Sequence, residues 1–294
     1  MSNAPSTPSV VTRQRPFVYI AGLIRTGSTA LSEALSERGL AFVVREPRLG
    51  AGRVSIPDPD AEVLRGYGLG GALHLPGLAV RALRRVGARG AAAALAVRAF
   101  RRGVAWPLAA RGVQVGIKEV RHDGWAHVLR AFPHARVVAI RRDPRDIYLS
   151  QRARILARGN ALPAPEAFAA SLRREAEQQY ALVQRAAYSM SIRYEDLCTD
   201  PSTLHSVRAF VQSPVKGEGS LGSFTAQVPI RRGESALHGG RLTDRRVGLW
   251  RRETDAEALA AAERVRVLMG PLVEAWGYDA SGPVAARLDD ATSR

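Results

Sequence analysis

Lysine is almost missing from this chain of 294 residues: it occurs only at 118 and 216, so 41 of the 43 cations are arginine. Cysteine is scarcer still, and the lone Cys198 excludes both a disulfide framework and a thiolate zinc site. No apolar run approaches the roughly 18 residues that a membrane span needs. The N-terminus, MSNAPSTPSV, lacks the charged and apolar blocks of a secretory signal. A cytoplasmic location is therefore expected. Acidic residues are also short, 27 against 43 cations, which leaves a net charge of +16. Such a balance suits a polyanionic partner, whether nucleic acid, anionic lipid or a phosphate-rich small molecule. With 46% hydrophobic residues the bulk of the chain can bury a core, so disorder is excluded there.

What is present is an alternation of strands and helices. Residues 1–15 are polar and read as a flexible tail, as do 279–294 at the other end; a single domain is expected over 16–278. Phe17–Ala21 is a short run of β-formers ended by Gly22, a buried-strand pattern. A helix over 28–38 and a second strand over 41–44 complete a βαβ unit, which implies a parallel sheet. Residues 50–110, rich in Ala, Arg, Gly and Leu, read as a helical insertion whose Arg-bearing apolar helices permit peripheral membrane contact. The alternation resumes with a strand at 113–117 running into Lys118, a helix near 122–131, and a strand at 136–140 running into Arg141 and Arg142. Asp143 and Pro144 then supply an N-cap and a first helical residue. A long helix over 163–187, a strand over 189–193, a loop over 213–247 and an amphipathic helix over 254–275 follow. The expected fold class is α/β: a P-loop-like three-layer fold with a central parallel sheet, helices on both faces and the helical insertion.

The first strand delivers Gly22–Thr29, a G-x-x-x-x-G-S-T loop ahead of a helix. Successive backbone N–H groups and the helix N-terminus make such a loop an anion site. The spacing is that of a Walker A loop, except that Ser28 replaces its lysine. Arg25 supplies a cation within the loop, as a fork of donors rather than a point charge. An NTPase also needs an acid at the end of a later strand to hold Mg²⁺; here those strands end in Lys118 and in Arg141–Arg142. The site is expected to take phosphate with side-chain cations and no metal. Arg142 and Ser150, eight residues apart across a helix start, could serve a second phosphate.

Taken in order, four segments resemble the PAPS-dependent sulfotransferases. Arg25–Thr29 is similar to the 5′-phosphosulfate loop in the form found in bacterial members and tyrosylprotein sulfotransferases. Phe132–Ser150 is similar to the 3′-phosphate segment, Arg193–Leu197 to the Y-E-D-L segment, and Val247–Glu253 to the C-terminal segment near the nucleotide. The resemblance implies metal-free sulfuryl transfer from PAPS to an acceptor hydroxyl, leaving PAP. Carried over, Arg25, Thr26, Gly27, Ser28 and Thr29 hold the 5′-phosphosulfate; Arg142 and Ser150 hold the 3′-phosphate; Tyr194 stands beside the adenine; and Arg246 contacts the nucleotide. Lys118 would meet the leaving bridge oxygen. Glu46, before Pro47, resembles the family's glutamate base, with His122 and Glu119 as rivals. The acceptor would be a small molecule, glycan or lipid; Trp106 and Trp125 read as core residues, either of which could border its pocket. No nucleic-acid partner is expected on this reading. The competing readings are a metal-dependent P-loop small-molecule kinase and a basic module for nucleic acid or anionic membrane.

Overall fold

The structure, a computed structural model, describes residues 15–37, 41–212 and 244–278. Five parallel strands form one sheet in the order β2-β3-β1-β4-β5. They are β1 (Val18–Ala21), β2 (Phe42–Arg45), β3 (Val115–Glu119), β4 (Arg136–Arg141) and β5 (Tyr188–Arg193). The first four are nearly continuous apolar runs because a parallel sheet is covered on both faces. Alternate residues point to opposite layers. Tyr19, Phe42, Val44, Ile117 and Val137 face one core, while Val18, Ile20, Val43, Val138 and Ile140 face the other.

The second of these faces is covered by α1 (Ser28–Glu37) through Leu31 and Leu35, and by α9 (Tyr194–Thr199) and α10 (Pro201–Gln212). The insertion covers the first. It consists of α2 (Asp58–Gly66), α3 (His74–Arg85), α4 (Arg89–Phe100), a wide π-type turn over Arg101–Ala105, and α5 (Trp106–Ala109). Ala92, Ala96, Val97 and Phe100 of α4 lie in the main core, so these helices are a layer of the domain. α6 (Trp125–Ala131) completes that layer and begins three residues later than the sequence pattern suggests.

A third cluster joins α7 (Pro144–Leu156) and α8 (Pro165–Arg185) to two C-terminal helices, α11 (Ala256–Met269) and α12 (Pro271–Ala275). The single helix expected over 254–275 is thus two. Gly270 at φ 55° followed by Pro271 breaks it, since proline cannot donate into the preceding turn. Of the loop expected over 213–247, residues 213–243 lie outside the described part, as do nearly all of both tails. Among the described residues no helix is long and apolar enough to cross a membrane.

Candidate active site

Because all five strands run the same way, their C-terminal ends gather at one edge. The strand order reverses around β1, the position at which open α/β sheets form a ligand crevice. A cleft of about 310 Å³ lies there. Each strand end contributes to it or its support: the 22–28 loop after β1, Glu46 after β2, Lys118 within the last turn of β3, Arg142 after β4 and Tyr194 after β5.

The loop after β1 is wound by its own hydrogen bonds. Thr26 Oγ1 donates to Leu23 O at 2.8 Å and accepts from Leu23 N at 3.0 Å, which leaves Thr26 fully buried as a brace rather than a lining residue. Gly27 has φ 82°, and a Cβ there would stand 2.3 Å from Cδ2 of Tyr194, so glycine is required on both counts. Gly27, Ser28 and Thr29 line the cleft together with the guanidinium of Arg25.

The two phosphate-binding groups expected from the sequence are in direct contact. Arg25 Nε donates to Ser150 Oγ at 2.9 Å, and Arg142 Nη1 donates to Arg25 O at 3.0 Å. Arg142 Nη2 also donates to Arg246 O and lies 3.4 Å from Asp146 Oδ2. Arg142 Nε is buried without a hydrogen-bond acceptor. The Arg142 guanidinium sits 4.5 Å over the Tyr194 ring. Tyr194 therefore wedges between the Gly27 turn and Arg142, and the sequence-expected adenine neighbour is first of all a support for both. Arg246 lies in a short 3-10 turn over Asp244–Arg246, held in place because Asp146 accepts from Gly248 N at 2.8 Å and Trp250 N at 3.1 Å. The carboxylate nearest the phosphate side is thus committed to backbone donors. Asp143, at the mouth of α7, is likewise committed: it caps Arg145 N and pairs with the Arg145 guanidinium at 2.7 Å.

On the opposite wall, Lys118 Nζ donates to Glu46 Oε1 at 2.6 Å. Glu46 and Arg48 both have positive φ, 47° and 55°, on either side of Pro47. Left-handed backbone at such residues costs about 1–3 kcal/mol each and persists only where its surroundings fix it. Here the end of β3 fixes it: Glu46 N donates to Lys118 O at 2.6 Å and Arg48 N to Glu119 Oε1 at 2.7 Å. Burial raises the Glu46 carboxyl, but Lys118, its hydrogen bond, and then Arg48 and Arg154 outweigh burial and hold it below the usual carboxylate range.

Neither rival base lines this cleft, but Glu119 lines the cavity that adjoins it. His122 is fully buried, with Nε2 against Gly22 O at 2.7 Å and Nδ1 against Tyr19 Oη at 3.3 Å, and burial lowers it to about 4. Glu119 is buried beneath the 46–48 turn and is pushed up to about 8, chiefly by burial. The native state therefore holds a proton that the unfolded chain releases in the ordinary carboxylate range. The stability this confers is complete at low pH and is lost as pH rises towards 8. Glu119→Gln, which keeps an oxygen for Arg48 N, is expected to flatten that decline. Urea midpoints at pH 5 and 9 should show the variant losing roughly 1–3 kcal/mol less than wild type over the interval. Parallel declines in the two proteins would refute the assignment.

Three lining cations were not singled out from sequence: Arg48, Arg121 and Arg154. Arg154 is four residues after Ser150 on α7, hence on its face, a spacing that could have flagged it. Among the described residues seven cations line the cleft with one carboxylate, Glu46. Burial lowers Arg25 to about 10, and the neighbouring guanidinium groups of Arg154, Arg246 and Arg142 add to the shift. Like charges held this close repel, and an anion bound between them would relieve the repulsion. A second cavity of about 560 Å³ adjoins the cleft through Arg48 and Arg121 and reaches Arg84 and Arg89 of the insertion. Trp106 is elsewhere: it lines a pocket with Phe17 and Val115 at the N-terminal edge of the sheet, the end opposite the cleft. Trp125 packs against the main core.

A parallel α/β sheet with a glycine-bearing loop at its switch point, backed by arginines, is a P-loop-like architecture. Residues 120–216, which hold β4, α7, β5 and Tyr194, match the model of the sulfotransferase family. The fold is that of solved sulfotransferase domains. The domain from the Synechococcus PCC 7002 olefin synthase aligns with TM-score 0.55 at 17% identity over 91% of this chain and 96% of its own. The domain from the curacin biosynthetic pathway aligns with TM-score 0.53 at 14% identity over 91% and 99%. Comparison with curated proteins gives no sequence match. Over residues 120–216 the chain is similar to the sulfotransferase family, and its fold as a whole is the sulfotransferase fold.

Proposed function

We propose that this enzyme transfers a sulfuryl group from PAPS to a hydroxyl of a small-molecule, glycan or lipid acceptor, in line and without a metal. The observation that carries this reading is the cleft itself: seven cations around a P-loop-like turn, with the carboxylates at the α7 start committed to other donors. The buried, unpartnered Nε of Arg142 and the crowded Arg25 guanidinium fit a ligand with phosphate at two positions. Gly27, Ser28, Thr29 and Arg25 would hold the 5′-phosphosulfate, braced by Thr26. Arg142 and Ser150 would hold the 3′-phosphate, with Tyr194 and Arg246 bordering the nucleotide. PAPS supplies the activated sulfuryl group and, as PAP, the leaving phosphate.

Glu46 acts as general base. Lys118 keeps its carboxylate ionised, so it can take the proton of an acceptor hydroxyl presented from the adjoining cavity. Lys118 would turn its ammonium from Glu46 to the leaving phosphate oxygen, where charge builds. As that ammonium turns to the leaving oxygen, its hold on Glu46 weakens and the carboxylate gains basicity when a base is needed. PAP at 100 times its Kd should stabilise the protein by about 2.7 kcal/mol, with or without Mg²⁺. Thermal shift checks this: stabilisation by ATP only in the presence of Mg²⁺, and none by PAP, would replace the reading with a kinase.

A further inference from the structure

We propose that α3 docks this protein on an anionic lipid bilayer. The helix carries a stripe of apolar side chains that the fold leaves uncovered. Leu75 is 74% exposed, Leu78 46% and Val86, the residue capping the helix, 78%. Ala79 and Ala82 between them are exposed as well. Positions 75, 78, 79, 82 and 86 fall on one face at helical spacing. The opposite face is already used: Val80 is buried and Leu83 packs against the main core. The stripe is thus additional to what the domain needs for folding.

The charge around the stripe selects the occupant. Arg81 and Arg85, both exposed, border it on one side. Between Glu62 and Glu119 the chain has no carboxylate at all, while nine arginines fall in that interval. A second copy of this protein is a poor partner, because each stripe would bring the same arginine rim against the other on a chain of net charge +16. A protein groove is usually anchored by Trp, Tyr or Arg in a pocket, whereas this face is convex and purely aliphatic. Leucine and valine at the acyl boundary, with arginines reaching to lipid phosphates, is the arrangement of an interfacial helix. α3 ends beside Arg84, which lines the cavity adjoining the cleft, so docking would bring that cavity's rim close to the lipid surface. The inference does not depend on the sulfotransfer reading, and its test measures no turnover.

Flotation with vesicles tests it, comparing pure phosphatidylcholine with phosphatidylcholine containing about 30% phosphatidylglycerol. The wild-type protein should float with the anionic vesicles, at least about tenfold more strongly than with neutral ones, and be released by high salt. The triple variant Leu75→Ser, Leu78→Ser, Val86→Ser should bind at least about tenfold more weakly. Arg81→Gln with Arg85→Gln should also lose about tenfold or more. All three side chains of the triple variant are exposed, so its thermal midpoint should stay at the wild-type value. No flotation by the wild type, or equal flotation of the triple variant, would overturn the proposal. A wild-type dimer that the triple variant abolishes, without vesicle binding, would assign the stripe to a second copy and overturn it too.

Discussion

Glu46→Gln is expected to lower kcat by about 10²–10⁴-fold, the usual contribution of a positioned general base, while PAP binds as before. The substitution isolates proton transfer. Glutamine retains an oxygen that can accept from Lys118 Nζ, and the backbone bond from residue 46 N to Lys118 O is untouched. What disappears is the proton acceptor. Turnover with PAPS and any hydroxyl acceptor of the wild type, together with a PAP titration, separates the two effects. The carboxyl of the free enzyme lies below the usual carboxylate range, so the acid limb of the wild-type kcat/KM profile should fall below that range as well. A variant turning over at the wild-type rate would remove Glu46 from the chemistry.

Arg142→Ala should weaken PAP binding by about 10²-fold or more, in keeping with the roughly 2–5 kcal/mol lost when one partner of a buried charge pair is truncated. The argument rests on where the fork already is. Its terminal nitrogens reach Arg25 O, Arg246 O and Asp146, and its Nε is buried without an acceptor. Adenosine 5′-phosphosulfate, which lacks the 3′-phosphate, is the control. If Arg142 reads that phosphate, the variant binds it nearly as wild type does, and the preference for PAP collapses. Equal losses on both ligands would make Arg142 a support of the Arg25 and Arg246 backbones instead. Arg142→Lys keeps the charge but not the fork, and should fall between the two.

Much of this site was legible because its parts are local. The Gly22–Thr29 loop, the Asp143–Pro144 helix start and the apolar strands each declare themselves within a few residues. The Gly270–Pro271 break was legible in the same way and was overrun by the amphipathic pattern on both sides of it. The wall opposite the loop was not. Whether Glu46 meets Lys118 depends on the pairing that sets Arg45 beside Lys118 across β2 and β3. A one-residue slip would turn either side chain to the other face. The burial of His122 under Gly22, and the left-handed turn at Glu46 and Arg48, follow from the same long-range register. Arg48 and Arg121 join the site only through it.

The contacts that close the cleft link residues far apart in the chain: Lys118 with Glu46 across 72 residues, Arg142 with Arg246 across 104 and with Arg25 across 117, and Arg25 with Ser150 across 125. Closing spans of that length is an entropic cost recovered only once the whole sheet is in place. The cleft is therefore an index of completed topology. A truncation that removes any one of the five strands removes residues that line the cleft or support them.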